Sequence, residues 1–242
     1  MIPETTRPTV LITGASRGLG LAFAAEYAAR DWQVIATCRR PDEARDLQQL
    51  AGRYATLRIL PLDVTADTAV KSLAAALAGE PVDVLLNNAG VYGTLATQAL
   101  GAFDFEDAKR VFDINALGGL RVSEALLANV AASTQKKIVS LGGGLGAQSI
   151  GSTFGGHYFM KMSKAAHLMA MGVLQAEVKA QGVIVVMISP GRVDTQLMRD
   201  SGYAGPALTA EDSARQVIAR IDDLTPAMHG RLVMCDGQVV PW

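Results

Sequence analysis

The chemistry in this chain starts from residues without side chains. Three glycines stand in Thr13-Gly14-Ala15-Ser16-Arg17-Gly18-Leu19-Gly20, which follows a β-rich run, Thr9–Thr13, and opens into a helix with apolar periodicity. A dinucleotide pyrophosphate needs a backbone that turns tightly and comes close, at a helix N-terminus whose free N–H groups attract negative charge. Gly14 permits the turn and Gly18 and Gly20 the approach, with Ser16, Arg17 and Leu19 completing the loop. Glycine-rich turns also serve as plain connectors; the place between first strand and first helix marks this one as an expected cofactor loop.

The second run ends Ala36-Thr37-Cys38-Arg39-Arg40, where the adenosine ribose of such a cofactor would lie. An acidic side chain there would accept from the ribose 2′-hydroxyl and favour NAD, and none is present. Arg39 instead offers a guanidinium fork to a 2′-phosphate, with Arg17 helping from the glycine loop, so NADP(H) is expected in preference to NAD(H). The plainer reading is a solvated basic pair opening the next helix.

The elements that must position these groups alternate. Short apolar runs at 9–13, 33–37, 57–62, 82–86, 136–141, 183–189 and 231–235 are separated by helical patterns at 18–30, 42–52, 66–78, 104–132, 156–181 and 209–222. Continuous apolar runs are how strands buried on both faces of a parallel sheet read. The expected fold is α/β: a single Rossmann-type doubly wound domain over residues 1–242, with about seven parallel strands and helices on both faces.

Composition agrees. The chain has 242 residues, half of them apolar, with 22 Lys+Arg against 23 Asp+Glu and a formal net charge of −1, and a mean hydropathy of +0.23. That excludes wholesale disorder and leaves no electrostatic footprint for nucleic acid or an anionic membrane. Glycine is in excess, 24 of 242, about 10% against a usual ~7%. Met1–Pro8 carries no apolar core of a secretory signal, and no run reaches the ~20 residues of a membrane span. Cys38 and Cys235 cannot build a disulfide framework or metal cluster. The expectation is a soluble cytoplasmic protein that binds no metal and acts on a small-molecule substrate.

Further motifs join the glycine turn. Asn87-Asn88-Ala89-Gly90 follows the fourth strand, and Ser163-Lys164-Ala165-Ala166 lies in the longest helical pattern but one. With these the chain resembles the short-chain dehydrogenase/reductase family over essentially its whole length. Gly155-Gly156-His157-Tyr158 and the C-terminal 235–242 are most similar to its C-factor and sniffer-type carbonyl reductase branch. The resemblance implies that Asp63 and Val64 contact adenine and that Asn88, Ala89 and Gly90 line the cofactor. It gives Asn115 a helix kink and a proton-relay water, and it makes Pro190, Gly191, Val193 and Thr195 close over the nicotinamide. Lys164 would bind the nicotinamide ribose and lower the pKa of a tyrosine one helical turn earlier, while a serine would position the substrate oxygen.

Here the chain departs from the family. Four residues before Lys164 stands Met160, which has no proton to give. Tyr158 is six residues from Lys164, about 600° of helical rotation and roughly 120° off its face. It is expected to pack, with service as a substitute proton donor the alternative. Lys161 is expected on the helix surface and His157 at the helix entry. The fifth strand runs into Gly142-Gly143-Gly144, so Gly143 stands approximately where the serine would be. Ser149 lies near the usual spacing, and an altered loop could bring it in.

Positioned acid–base catalysis contributes roughly 10²–10⁴-fold, so ordinary ketone reduction should suffer unless another group supplies the proton. The first expectation is an NADP(H)-dependent oxidoreductase with an atypical site, moving hydride to or from a small carbonyl, quinone or activated C=C substrate. Its proton would come from water, the substrate, or a relocated group such as Tyr158, His157 or Lys164. The alternatives are a catalytically silent NADP(H)-binding sensor or partner subunit, and non-redox lyase or isomerase chemistry. The helical patterns 104–132 and 156–181 carry more apolar residues than one core face needs, which fits a homodimer or homotetramer through those helices or a helix buried within the chain. Leu197, Met198 and Tyr203, in the loop 196–206, are expected to line the substrate pocket.

Overall fold

A computed structural model describes residues 7–242; Met1–Thr6, most of the segment expected to lack a signal, lie outside the described residues. The strands are β1 (Thr9–Thr13), β2 (Gln33–Cys38), β3 (Leu57–Pro61), β4 (Val84–Asn87), β5 (Lys137–Leu141), β6 (Ile184–Ser189), β7 (Leu232–Met234) and β8 (Val239–Val240). They form one sheet in the order β3-β2-β1-β4-β5-β6-β7-β8, parallel except for the antiparallel pair β7·β8. The sheet therefore has eight strands where about seven are expected. β8 is two residues long, too short to show a period, and returns through a turn in which Gly237 has φ +95°.

The main helices are α1 (Gly18–Ala29), α2 (Arg45–Arg53), α3 (Asp67–Ala76), α4 (Phe105–Phe112), α5 (Gly118–Ala125), α6 (Leu127–Ala131), α7 (Gln148–Gly151), α8 (Tyr158–Val178), α9 (Gln196–Asp200) and α10 (Ala210–Asp222). Successive strand side chains point to opposite faces, which divides the core in two. Val10, Ile12, Leu86 and Val186 pack with Phe23, Tyr27 and Val217 on one face, whereas Leu11, Leu85, Ile138 and Met187 pack with Leu73, Leu126 and Leu168 on the other. Each layer buries β-branched and leucine side chains completely, and this apolar burial is the main source of stability.

Two expected helices are interrupted. The pattern 42–52 divides into a 3-10 turn, Pro41–Glu43, and α2. The pattern 104–132 divides into α4, a π-turn over Asp113–Leu117, α5 and α6. The π-turn carries Asn115, whose amide is drawn into bonds with a neighbouring loop rather than left to solvent. Such bulges insert a residue into the helical ladder and commonly mark functional positions.

The glycine run after β5 is not uniform in purpose. A Cβ on Gly146 would stand 2.6 Å from the carbonyl carbon of Lys164, so this glycine lets the chain lie directly on the α8 backbone. A Cβ on Gly143 would meet nothing nearer than the Leu145 nitrogen at 3.7 Å, an ordinary contact. Gly146→Ala is therefore expected to cost ~1–3 kcal/mol through overpacking, and Gly143→Ala to change stability by no more than ~0.5 kcal/mol. Urea denaturation of the two variants checks this; equal costs would reject the distinction.

Candidate functional site

The sheet's strand order reverses between β1 and β4, and the crevice beyond their carboxyl ends is where doubly wound folds bind ligands. Gly14 makes its turn at φ +70°. A Cβ on Gly20 would collide with the Gly14 carbonyl oxygen and lie 2.6 Å from Asn88 Nδ2. Asn88 Nδ2 donates to the carbonyls of Thr13 at 2.8 Å and Gly14 at 3.1 Å, and Thr13 Oγ1 accepts from the amides of Asn88 and Ala89 at 3.0 Å. The loop is thus tied to the end of β4. At the start of α1, Arg17 makes no side-chain cap, leaving the leading N–H groups without a side-chain acceptor.

The basic groups differ in their commitments. Arg40 is paired with Glu43 at 3.0 Å, whereas among the described residues exposed Arg17 and Arg39 have no ion-pair partner. Burial raises the Asp63 pKa, but hydrogen bonds from Thr65 and the Arg39 charge bring it below the usual carboxylate range. Val64 beside it is buried. A backbone cradle that a Cβ would fill, an uncapped helix start and free guanidinium groups fit a phosphorylated dinucleotide.

Beyond the cradle, Asn115 clamps the next loop. Its Oδ1 accepts from the Val91 amide at 2.8 Å, while Nδ2 donates to the Val91 carbonyl at 2.9 Å and to Ser163 Oγ at 3.1 Å. The Met160 sulfur lies 3.6 Å from the same nitrogen. Lys164 is buried with Nζ donating to the Leu141 carbonyl at 2.9 Å, and burial pulls its pKa down to about 8. A Cβ on Gly90 would stand 3.4 Å from Asn115 Oδ1 and 3.8 Å from Lys164 Nζ. Gly90, Asn115, Met160 and Lys164 therefore meet at one place. One turn past Lys164, His167 is buried with Nδ1 3.4 Å from the Ala116 carbonyl; burial, and then the Lys164 charge, lower its pKa to about 3.

Other expected residues are distributed around this centre. Gly143 follows β5 where a Cβ would make only ordinary contacts with Leu145. Ser149 is not brought in: its hydroxyl donates at 2.7 Å to the carbonyl of Pro241, the residue after β8. The Tyr158 ring packs on Phe103 with centroids 4.9 Å apart. The Lys161 ammonium lies over the Phe154 ring, 3.7 Å from its centroid. Pro190, Gly191 and Val193 lead from β6 towards Thr195, whose Cγ2 lies 3.4 Å from where a Gly18 Cβ would be. Leu197 and Met198 sit on α9, and Tyr203 packs under Arg192 with 4.9 Å between guanidinium and ring.

Sequence reasoning passed over three groups. Tyr92, two residues beyond Gly90, places its hydroxyl 2.7 Å from His157 Nδ1. Gln98 donates to the Tyr92 carbonyl at 2.8 Å and accepts from the Met160 amide at 3.0 Å. His167 is the third. The position of Tyr92 just past Asn88-Ala89-Gly90 was an available signal; nothing in the pattern announced Gln98.

The family model described as short chain dehydrogenase matches residues 8–204. The chain is 39% identical over 162 residues to C-signal of Myxococcus xanthus, covering 67% of this chain and 93% of that protein. It is 33% identical over 238 residues to 1-hydroxy-2-glutathionyl-2-methyl-3-butene dehydrogenase of Rhodococcus sp. strain AD45, covering 97% and 99%. Its structure is similar to an NADPH-bound carbonyl reductase from chicken fatty liver, with TM-score 0.89, 27% identity, and 98% and 100% of the two chains covered.

The buried bases make stability depend on pH in a definite sense. His167 at about 3 and Lys164 at about 8 both lie below their ordinary values of 6.5 and 10.5, so the unfolded chain binds more protons in each window. Stability accordingly rises with pH through both windows, and the contribution of neutral His167, complete above 6.5, is lost as pH falls toward about 3. In urea titrations the stability difference between wild type and His167→Gln is expected to be larger at about pH 7 than at about pH 4. A difference independent of pH would reject the neutral buried imidazole.

Proposed function

The chain belongs to the short-chain dehydrogenase family, and on that premise we propose that it is an NADP(H)-dependent oxidoreductase with an atypical proton site. It would transfer hydride to or from a small carbonyl, quinone or activated C=C substrate. The observation that carries this reading is the intact nucleotide cradle leading to Lys164, a buried ammonium with no ion-pair partner among the described residues. NADP(H), when bound, supplies or accepts the hydride. Gly14, Ser16, Gly18, Leu19 and Gly20 hold the pyrophosphate, and Arg17 and Arg39 take the 2′-phosphate. Asp63 and Val64 border the adenine. Asn88, Ala89 and Gly90, with Pro190, Gly191, Val193 and Thr195, flank the nicotinamide half, and Lys164 holds its ribose.

Met160 occupies the place of a proton donor with a buried thioether, and Gly143 supplies no hydroxyl. The centre around position 160 is thereby more apolar, so an acceptor there either needs little acid assistance or takes its proton from a neighbouring group, with Asn115 keeping the surrounding backbone fixed. A dehydrogenase and an NADPH-bound carbonyl reductase among its relatives support the redox reading. The Met160 sulfur also favours a second reading, an NADP(H)-binding protein without turnover. On α8, Met162, Met169 and Val173 are 50%, 59% and 52% exposed, an outward apolar stripe that supports assembly as a homodimer or homotetramer. No helix among the described residues is long and apolar enough to cross a membrane, and the free Cys38 and Cys235 suit the reducing conditions of the cytoplasm.

Charge-assisted hydrogen bonds contribute ~1.5–3 kcal/mol, so Arg39→Ala is expected to weaken NADPH roughly 10-fold or more while leaving NADH within about twofold. Tighter binding of NADH than NADPH by the wild type would overturn the cofactor preference. NADPH oxidation is expected with at least one ketone, aldehyde, quinone or enone. Tight binding without oxidation across all four classes would reject the oxidoreductase and leave the silent binding protein.

A further inference from the structure

We propose that Tyr92 and His157 form the proton-delivering pair of this site, standing in for the hydroxyl that position 160 lacks. The inference rests on the oxidoreductase reading and concerns which atoms move the proton. Tyr92 is 4% exposed, and its hydroxyl lies 2.7 Å from Nδ1 of His157, which is only partly buried. A sheltered phenol joined to an imidazole that reaches solvent is a short route for a proton from water into the site.

Their placement carries the argument. Gly90, two residues before Tyr92, passes within a side chain's width of Lys164 Nζ, and two residues span at most ~7 Å of chain. Val91, between them, is held at both its amide and its carbonyl by Asn115. The Tyr92 carbonyl is tied through the Gln98 amide to the backbone nitrogen of Met160. His157 immediately precedes α8, three residues before Met160. The pair is thus fastened to the turn of helix where the family's acid would be, from both sides.

The contacts of the imidazole add a second sign. His157 is left-handed at φ +58° and makes no side-chain cap to α8, so helix capping does not account for its conformation. Asp31 and Lys136, at turns leading into β2 and β5, share this left-handed backbone, so what sets His157 apart is what its ring touches. The bond to Tyr92 and the edge of the Phe154 ring, centroids 5.9 Å apart, hold the imidazole there.

The charges nearby leave the pair neutral. From α8, Lys161 faces His157, its ammonium over Phe154, with Tyr158 against Phe103 and Lys164 one turn further on. From α4, Asp107 is engaged by Arg110 at 2.6 Å and by Thr94 and Thr97, so it does not bind either partner. Burial, then Lys161, lowers the His157 pKa, and burial pushes Tyr92 up to about 12. The phenol therefore keeps its proton until a stronger base forms beside it.

In the reducing direction the carbonyl carbon gains a hydride and the C=O π pair moves to oxygen. Tyr92 breaks its O–H bond and gives the proton to that oxygen. The phenolate takes the Nδ1 proton of His157, and Nε2 accepts one from solvent as Nδ1 releases its own. One hydride and one solvent proton are consumed per carbonyl reduced, and oxidation runs the same path backwards.

The test compares wild type, Tyr92→Phe and His157→Asn, the last because asparagine tolerates a left-handed backbone. Tyr92→Phe is expected to lower kcat for an ordinary ketone roughly 100-fold, with NADPH affinity within about twofold of wild type. The loss should shrink for a trifluoromethyl ketone, whose alkoxide is a weaker base and needs less acid. His157→Asn should flatten the pH profile of kcat. In the cofactor-free protein, the ¹⁵N resonance of His157 Nδ1 should shift in Tyr92→Phe. Ketone reduction within threefold of wild type in Tyr92→Phe, an equal loss on both ketones, or an unmoved His157 resonance would each overturn the pair alone. Absence of turnover in the wild type with every acceptor would overturn the oxidoreductase reading and the pair together.

Discussion

The clamp of Asn115 on Val91 is the interaction on which the rest of this site depends. One amide side chain accepts from the Val91 nitrogen, donates to its carbonyl and to Ser163, and lies against the Met160 sulfur. It joins the loop after β4, the π-turn after α4 and the second turn of α8. A regular helix through 113–117 would close its own ladder at that point and aim residue 115 differently. The bulge is therefore the local cost of bringing three segments to one point. Buried amides bonded on all sides specify a single arrangement, because any shift leaves a polar group unpaired in a dry interior.

Much of this was legible before the structure. The apolar strand runs and the helical patterns recur within a few residues of their expected ends, because burial on both faces imposes continuous Val, Ile and Leu. What escaped was short or interrupted. β8 has two residues, and the π-turn depends on where Asn115 finds partners, which lie 24 and 48 positions away in the chain. The glycine turn after β1 lies against Asn88, a contact that the glycines permit and that their spacing did not announce. Ser149 could be weighed only by spacing, and spacing is blind to the Pro241 carbonyl that claims its hydroxyl. Tyr92 shows the same limit from the other side: its place just past Gly90 marks it, but its partner, the histidine 65 residues on, is beside it only in the fold.

The glycines divide by what a side chain would strike. At Gly20 it would strike the glycine turn itself, and at Gly146 the backbone that carries Lys164. These positions have no freedom to change while the site keeps its shape. A Cβ on Gly143 would make only ordinary contacts with Leu145, so sterics do not explain the absence of a hydroxyl there. Nor does packing force a methionine at 160, since its sulfur rests against a polar amide that a hydroxyl would satisfy better. Positions 143 and 160 are thus where the geometry is permissive, and Gly20 and Gly146 where it is strict.

That pattern bears on why Lys164 stays. Burying an ammonium without a carboxylate is unfavourable, and its lowered pKa is the measure of that cost. His167 close behind it is held neutral partly by the same charge, so the burden is shared by two groups in one stretch of α8. A chain that needed only a stable core would be better served there by a methionine or leucine. The arrangement makes physical sense if an external partner rich in hydroxyl and phosphate oxygens completes the hydrogen bonding of the ammonium. The polar clamp then has a purpose of the same kind: it holds the loop still so that whatever binds above Lys164 meets a surface already in place, with its ordering entropy met during folding rather than on binding.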